Sequence, residues 1–275
     1  MSSSIISEKV TNLAIGTFDG FHRGHQELFK NLDKSGAVLI IEKDYSNYLI
    51  PKQHKSHFLK LPIYYYKLNE IMSLNGDGFV KLLLNNFPNL QKVVIGYDFF
   101  FGKDRKCSIK DLKRLFNGDL KVVDEVIYCG ISVHSKAIRQ LLESGKIETA
   151  NRLLDRNYSI IGKRVKGQGI GSKELVPTIN LTTDNFFLPK SGVYSSRTLI
   201  NGISYKSISF LGHRLTTDGE LSLETHILED FNECKNNIVE VQFIEFIRAN
   251  RKFSLLSLLK EQIEKDIEVA KASLK

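Results

Sequence analysis

Leu13-Ala14-Ile15-Gly16-Thr17-Phe18-Asp19-Gly20-Phe21-His22-Arg23-Gly24-His25 is the stretch on which the fold turns. Leu13 to Ile15 is short, continuous and apolar, the pattern of a strand buried on both faces. Gly16 to Gly20 forms a loop. A helix is expected to begin near Gly24 or His25, to carry Leu28, Phe29 and Leu32 on one face, and to stop around Gly36. A strand that passes through a glycine-flanked loop into a helix gathers backbone N–H groups and a positive dipole where a polyphosphate can sit. His22 and His25 stand three residues apart at that point, so both imidazoles can face one phosphate and donate hydrogen bonds to charge building on phosphorus. Gly24 between them allows close approach to the backbone. An isolated H-x-x-H also describes two surface histidines, which is the reading given to His54 and His57. It describes a zinc pair too, but no third ligand stands at a recognisable spacing.

Outward from this stretch the same grammar continues. Ala37 to Ile41 and Val93 to Ile95 read as buried strands, and Val122-Val123 with Val126-Ile127 as a fourth. Helices are expected from about Ile109 to Phe116, from Ser135 to Leu142 and from Ile147 to Leu154. Strands alternating with helices imply an α/β domain with an open, doubly wound parallel sheet. After Asp155 the pattern changes. Tyr158 to Val165 reads as a strand and is followed by a loop holding Gly167, Gly169 and Gly171. Val193 to Ile200, the turn Asn201-Gly202 and Ile203 to Phe210 form a hairpin, because Asn-Gly supplies the positive φ of a type I′ turn. Leu221 to Leu228 and Ile238 to Ile247 alternate at period two. An amphipathic helix closes the chain, with Ser254 as its cap and Leu255, Leu258, Leu259, Ile263, Ile267 and Ala270 on one face. The expectation is two domains, 1–156 α/β and 157–275 an antiparallel β-barrel with a terminal helix.

Composition agrees. At about 150 residues per domain a chain of 275 suggests two. With 42% hydrophobic and 25% charged residues, wholesale disorder is excluded. The net charge of +8 is spread along the chain rather than gathered in a basic arm, which weakens a nucleic-acid reading and fits an enzyme of phosphorylated substrates equally well. Cys107, Cys129 and Cys234 form no CxxC pair, which argues against a disulfide scaffold or zinc knuckle and fits a reducing compartment. The opening MSSSIISEKVTN lacks the basic and apolar regions of a secretory signal, and apolar runs such as Ala37 to Ile41 fall far short of the ~20 residues of a membrane span. A cytoplasmic protein without membrane partners is expected; oligomeric state is not legible.

The segment Gly16 to His25, GTFDGFHRGH, resembles the signature of the HxGH nucleotidyltransferases, whose Rossmann-like domain transfers a nucleotidyl group from a triphosphate to a phosphate acceptor. Further matches narrow the resemblance to the bacterial bifunctional riboflavin kinase/FMN adenylyltransferases, or FAD synthetases. Gly96-Tyr97-Asp98-Phe99-Phe100-Phe101-Gly102 with Arg105 is similar to that family's G-x-D-F-x-F-G…R segment. The resemblance implies that Asp98, Phe99, Phe101 and Arg105 line the flavin site, whereas an aromatic cluster after a strand, taken alone, reads as core. Val133-His134-Ser135-Lys136-Ala137-Ile138-Arg139 resembles the family's I-S-S-T-x-I-R, which implies phosphate contacts from Ser135 and Arg139, and the resemblance makes Gly16, Phe18, Asp19 and Gly24 nucleotide-binding as well. His134 and Lys136 depart from that pattern, and Lys136 reads equally as a phosphate contact or a solvated helix lysine. Residues 43–75 carry no transferable motif.

Gly162 to Leu181, GKRVKGQGIGSKELVPTINL, resembles the riboflavin kinase flap and its P-T-A-N motif. Glycines at 167, 169 and 171 can bend round phosphates, and Thr178 and Asn180, two apart on a strand, offer two oxygens to Mg²⁺. Leu175 stands where the family has glycine, Ile179 where it has alanine and Leu215 where it has proline. Leu188-Pro189, Gly192-Val193-Tyr194, Ser209 to Thr216 and Leu223-Glu224-Thr225-His226 follow in family order. The resemblance makes Glu224 the base that takes a proton from the ribityl hydroxyl, and Arg248, in the closing Ile247-Arg248…Lys252-Phe253 motif, a flavin contact. It implies MgATP-dependent phosphorylation of riboflavin to FMN, then adenylylation of FMN to FAD. The alternatives are an adenylyltransferase whose kinase half has decayed at Leu175, an adenylyltransferase for another phosphate acceptor, and a flavin- or nucleotide-binding regulator.

Overall fold

β1 (Asn12–Gly16) lies at the centre of a five-stranded sheet, with Leu13, Ala14 and Ile15 almost wholly buried. In the computed structural model, which describes residues 6–44, 46–165, 176–213, 221–231 and 237–275, helix α1 (Arg23–Phe29) follows β1. The other strands are β2 (Gly36–Glu42), β3 (Ile63–Lys67), β4 (Lys92–Gly96) and β5 (Asp119–Val123). Their order is β3-β2-β1-β4-β5 and every pair is parallel. Between them run α2 (Lys55–Phe58), α3 (Leu68–Ile71), α4 (Gly76–Asn86) and α5 (Ile109–Leu115). Phe79, Leu83 and Phe87 at the α4 side and Leu112 of α5 pack with Leu39, Val93 and Ile95 into one core. Strand order reverses between β1 and β4, so the loops leaving their C-terminal ends flank the crevice where open α/β sheets bind ligands.

Three local expectations are corrected here. The helix after β1 ends at Phe29, with Lys30 as its cap, rather than at Gly36. Gly36 instead opens β2, where a Cβ would meet the Asn12 side-chain oxygen at 2.6 Å. Ile127 does not extend β5; Ile127–Tyr128 (β6) pairs with Ile131–Ser132 (β7) around Cys129 and Gly130, both at positive φ. The terminal helix is capped by Leu255, without a side-chain hydrogen bond, and not by Ser254.

The chain divides into two compact units, Met1–Ser46 with Lys52–His134, and Asn47–Pro51 with Ser135–Lys275. The second opens with α6 (Ser135–Glu143) and α7 (Ile147–Leu154), and α7 packs on strands β8 (Tyr158–Val165) and β13 (Ile238–Ala249). With β9 (Ile179–Thr183), β10 (Gly192–Ile200), β11 (Ile203–His213) and β12 (Leu221–Ile227), these strands close a barrel in the order β10-β11-β12-β9-β8-β13. All its pairings are antiparallel. Asn201 (φ 52°) and Gly202 (φ 79°) make the left-handed turn expected of Asn-Gly.

One side of the barrel wall carries Ser196, Thr198, Ser207, Ser209 and Thr225, each no more than 1% exposed. They satisfy one another: Ser196 bonds Ser207 at 2.8 Å and Ser209 at 2.7 Å, and Thr198 bonds both Ser207 and Thr225 at 2.8 Å. On the other side Val193 and Ile208 pack against Ile267 and Ala270 of α8 (Leu256–Ser273). The expected apolar face of α8 is covered only in part, since Leu255 and Leu258 remain exposed. Among the described residues no helix is long and apolar enough to cross a membrane.

Candidate active sites

The loop leaving β1 is built on unusual backbone. Phe18 (φ 42°), Gly20 (φ 92°) and Phe21 (φ 44°) are all left-handed, a conformation that costs a phenylalanine energy and persists only where surroundings over-determine it. Both rings are buried and meet Phe29 of α1, at 5.1 Å and 5.7 Å between centroids. Asp19 between them is 3% exposed. The turn brings His22 to the cap of α1, where its Nδ1 accepts the backbone N–H of His25 at 3.4 Å. An accepting Nδ1 puts the ring proton of His22 on Nε2. The two imidazoles stack, 3.6 Å between centroids and 20° between planes, and the edge of Phe18 closes on His25 at 5.1 Å.

Burial, His22 and Lys55 together hold the His25 imidazole well below its ordinary pKa. Its Nδ1 is buried without a hydrogen-bond partner, so a second ring proton there would have no acceptor. Both effects favour the neutral imidazole at His25. Gly24 has a reason beyond ligand approach: a Cβ there would lie 3.2 Å from the His22 ring and from the Val133 carbonyl. At Gly16 it would lie 3.0 Å from the Phe18 ring. The glycines of the motif are thus packing surfaces for its rings.

After β4, Asp98 and Arg105 are exposed, while Phe101 is buried and Phe99 stacks on it at 5.8 Å and packs against the core. The aromatic surface offered to solvent is Tyr97 and Phe100, each 50% exposed, with the Arg105 guanidinium 5.7 Å from the Phe100 ring. The alternative reading of the aromatic run, as core, therefore describes Phe99 and Phe101. Lys55, from the segment that yielded no motif, is a further charged group of this site: it is 4% exposed and donates to the Phe18 carbonyl at 2.9 Å. A single lysine between two histidines in a polar run gave no sequence signal for that burial.

In the second unit Ser135 opens α6 as expected, and Arg139 donates to the Asn47 carbonyl at 2.6 Å with its guanidinium 4.7 Å from the Phe187 ring. On the barrel, Asn180 of β9 stands directly opposite Glu224 of β12, and Glu224 opposite Phe210 of β11. Phe210 pairs with Val193, and Val193 with Arg248, so one cross-strand row runs from Asn180 to Arg248. Directly paired residues share a face of the sheet, and this face is the one that α8 partly covers. Ser222 donates to the Glu224 carboxylate at 2.9 Å. His226 bonds the Pro177 carbonyl at 2.7 Å, which ties the residue before Thr178 to β12. Arg248 is engaged by the Asp266 carboxylate of α8, at 2.9 Å from Nε and 2.7 Å from Nη2. Ile179, one of the departures from the family pattern, points away from this row and is 7% exposed among the barrel's inner residues. Gly167, Gly169, Gly171, Leu175 and Leu215 lie outside the described residues.

Family models for FAD synthetase and riboflavin kinase match residues 5–44 and 154–274. The bifunctional riboflavin kinase/FMN adenylyltransferase of Buchnera aphidicola (Schizaphis graminum) is 32% identical over 94% of this chain and 92% of its own length. The protein of the same description from Haemophilus influenzae is 30% identical over 94% of this chain and 93% of its own. The chain belongs to the bifunctional riboflavin kinase/FMN adenylyltransferase family. A solved structure described as a macrolide-efflux protein from Streptococcus pneumoniae has the same fold, with a TM-score of 0.85 and 26% identity over 97% of this chain and 95% of that one. In family terms, the HxGH loop belongs to the FAD synthetase match and the row from Asn180 to Arg248 to the riboflavin kinase match.

Proposed function

We propose that this chain makes FAD from riboflavin in two steps, one on each of two domains, in the cytoplasm and on small molecules alone. The observation that carries this reading is the pairing of Asn180 with Glu224, which sets an oxygen ligand and a carboxylate side by side at the position the resemblance assigns to kinase chemistry.

In the first step the 5′-hydroxyl of riboflavin attacks the γ-phosphorus of ATP, the bond to the β-phosphate oxygen breaks, and ADP leaves. Glu224 takes the hydroxyl proton as it is lost. Thr178 and Asn180 are neutral hard-oxygen donors beside a carboxylate, a set that fits Mg²⁺ arriving with ATP; the ion would offset charge on the phosphates. In the second step a phosphate oxygen of FMN attacks the α-phosphorus of ATP and pyrophosphate leaves. That nucleophile is already ionised, so this site needs donors rather than a base. His22 and His25 supply them, His22 from Nε2. Tyr97 and Phe100, with Arg105, offer an exposed surface on which a planar ring can stack.

We place the division of labour at residues 1–156 for adenylyl transfer and 157–275 for phosphorylation, the latter close to the riboflavin kinase match that begins at 154. Incubating the full chain with MgATP and either riboflavin or FMN, then separating the flavins by chromatography, tests the reading. FMN and FAD from riboflavin, and FAD from FMN, are expected. FAD from FMN without any FMN from riboflavin would leave a single-activity adenylyltransferase, and neither product would overturn the proposal.

A further inference from the structure

Among the described residues of the first unit, one buried charge lies outside the HxGH segment. Lys55, the first residue of α2, has its Nζ 2.9 Å from the Phe18 carbonyl and 5.0 Å from the centre of the Phe21 ring. These are the two left-handed phenylalanines of the loop, and they bracket Asp19 and Gly20 immediately before His22. An ammonium removed from water is costly, and an apolar side chain of similar length would fill the same space more cheaply. The segment is also held from its other side: Lys52 bonds Glu42 of β2 at 2.8 Å and lies 4.4 Å over the Tyr65 ring of β3. The lysine is therefore carried on a fixed support into a loop whose backbone conformation needs external restraint.

We propose that Lys55 is a positioning residue for adenylyl transfer: its ammonium clamps the Phe18 carbonyl, fixes the left-handed turn that delivers His22 and His25, and acts through space on the His25 imidazole. This rests on the reading of the two histidines as donors to the α-phosphate. Four charged or titratable groups bear on the surroundings of His25. His22 stacks on it, Lys55 acts on it through space, Asp19 is buried in the adjoining loop, and Arg23 turns its guanidinium over Tyr128 at 4.3 Å. Lys55 and His22 both oppose protonation of His25. A neutral His25 keeps its one ring proton available for donation and does not bind the triphosphate as a fixed ion.

The test uses the full chain as wild type, Lys55→Met and Lys55→Arg. FAD formation from FMN and FMN formation from riboflavin are both measured, and the His25 ring proton is titrated by NMR, identified by its absence in His25→Gln. Lys55→Met is expected to lower kcat for FAD formation by roughly 10²-fold, the scale of an ångström's misplacement, with a smaller change in KM for ATP and unchanged FMN formation. The His25 titration should move upward in the methionine variant and stay low in Lys55→Arg, which should recover part of kcat. Wild-type rates of FAD formation in Lys55→Met overturn the proposal while leaving the function of the two histidines standing. A His25 that titrates in its ordinary range in the wild type overturns it whatever the variants do, including a methionine variant that fails to fold. Wild type that forms no FAD removes both readings together.

Discussion

Asn180 and Glu224 face each other across the β9–β12 pair, while Ile179 and Thr225, also paired across those strands, are buried at 7% and 0% exposure. The period of two thus separates chemistry from packing within three residues. The departure Ile179 falls on the packing side, where a larger side chain fills space without touching the row that carries Asn180.

Glu224→Gln keeps the shape and the Ser222 contact but cannot take a proton. Riboflavin phosphorylation should be lost, while FAD formation from added FMN should continue at the wild-type rate. Chromatography of flavins from the two incubations checks both halves of this expectation.

Alanine at His22 or at His25 should lower FAD formation by about 10²-fold or more, the usual cost of removing a donor aimed at transition-state charge. His22→Ala removes the α1 cap as well, so its thermal midpoint should fall along with its activity. FMN formation from riboflavin should survive in both. Equal loss of the two activities would show that the variants had lost their fold or that one site serves both reactions.

The depressed pKa of His25 has a consequence for stability. Its value in the unfolded chain is about 6.5, so below that pH the unfolded state binds a proton that the folded state refuses. Stability is therefore fully present above about pH 6.5 and declines as the pH falls, by up to about 1.4 kcal/mol per pH unit for this one proton. Midpoints of urea unfolding between pH 5 and 8 should show that decline. It should be flatter in His25→Gln, which has nothing to titrate.

Thr198 bonds two buried hydroxyls, those of Ser207 and Thr225, both at 2.8 Å. Thr198→Val preserves shape but removes a hydroxyl from the network, and should cost about 1–3 kcal/mol. Urea unfolding of the full chain reads this, and FAD formation from FMN should be unaltered.

Much of this architecture is legible in the sequence because its strands keep to one pattern. Val93 to Ile95 is apolar on both faces, as a central parallel strand must be, and Asn201-Gly202 has essentially one hairpin use. The two motif sets were legible through residue types that chemistry restricts: histidine beside glycine, threonine and asparagine two apart, glutamate on an alternating strand. Lys55 was not, because a buried lysine is defined by a carbonyl 37 positions away and nothing local distinguishes it from a solvated one. β3 was hidden by its composition: IYYYK has no clean apolar-polar alternation. α4, absent from the expected helices, carries a readable pattern, Asn75 as cap with Phe79, Val80 and Leu83 buried. The helix stops at Phe29 rather than near Gly36, and the sequence hides this because Leu32 continues the helical spacing after the backbone has already turned.

The serine and threonine network of the barrel also bears on temperature. Unfolding a barrel of ordinary composition exposes mostly aliphatic surface, which raises the heat capacity, whereas hydroxyl and amide exposure lowers it. With Ser196, Thr198, Ser207, Ser209 and Thr225 buried where aliphatic side chains could stand, this barrel gives up less of the first and more of the second. Its stability curve should be shallower than that of an aliphatic barrel of the same size, losing less on cooling and changing slowly across the range in which cells grow.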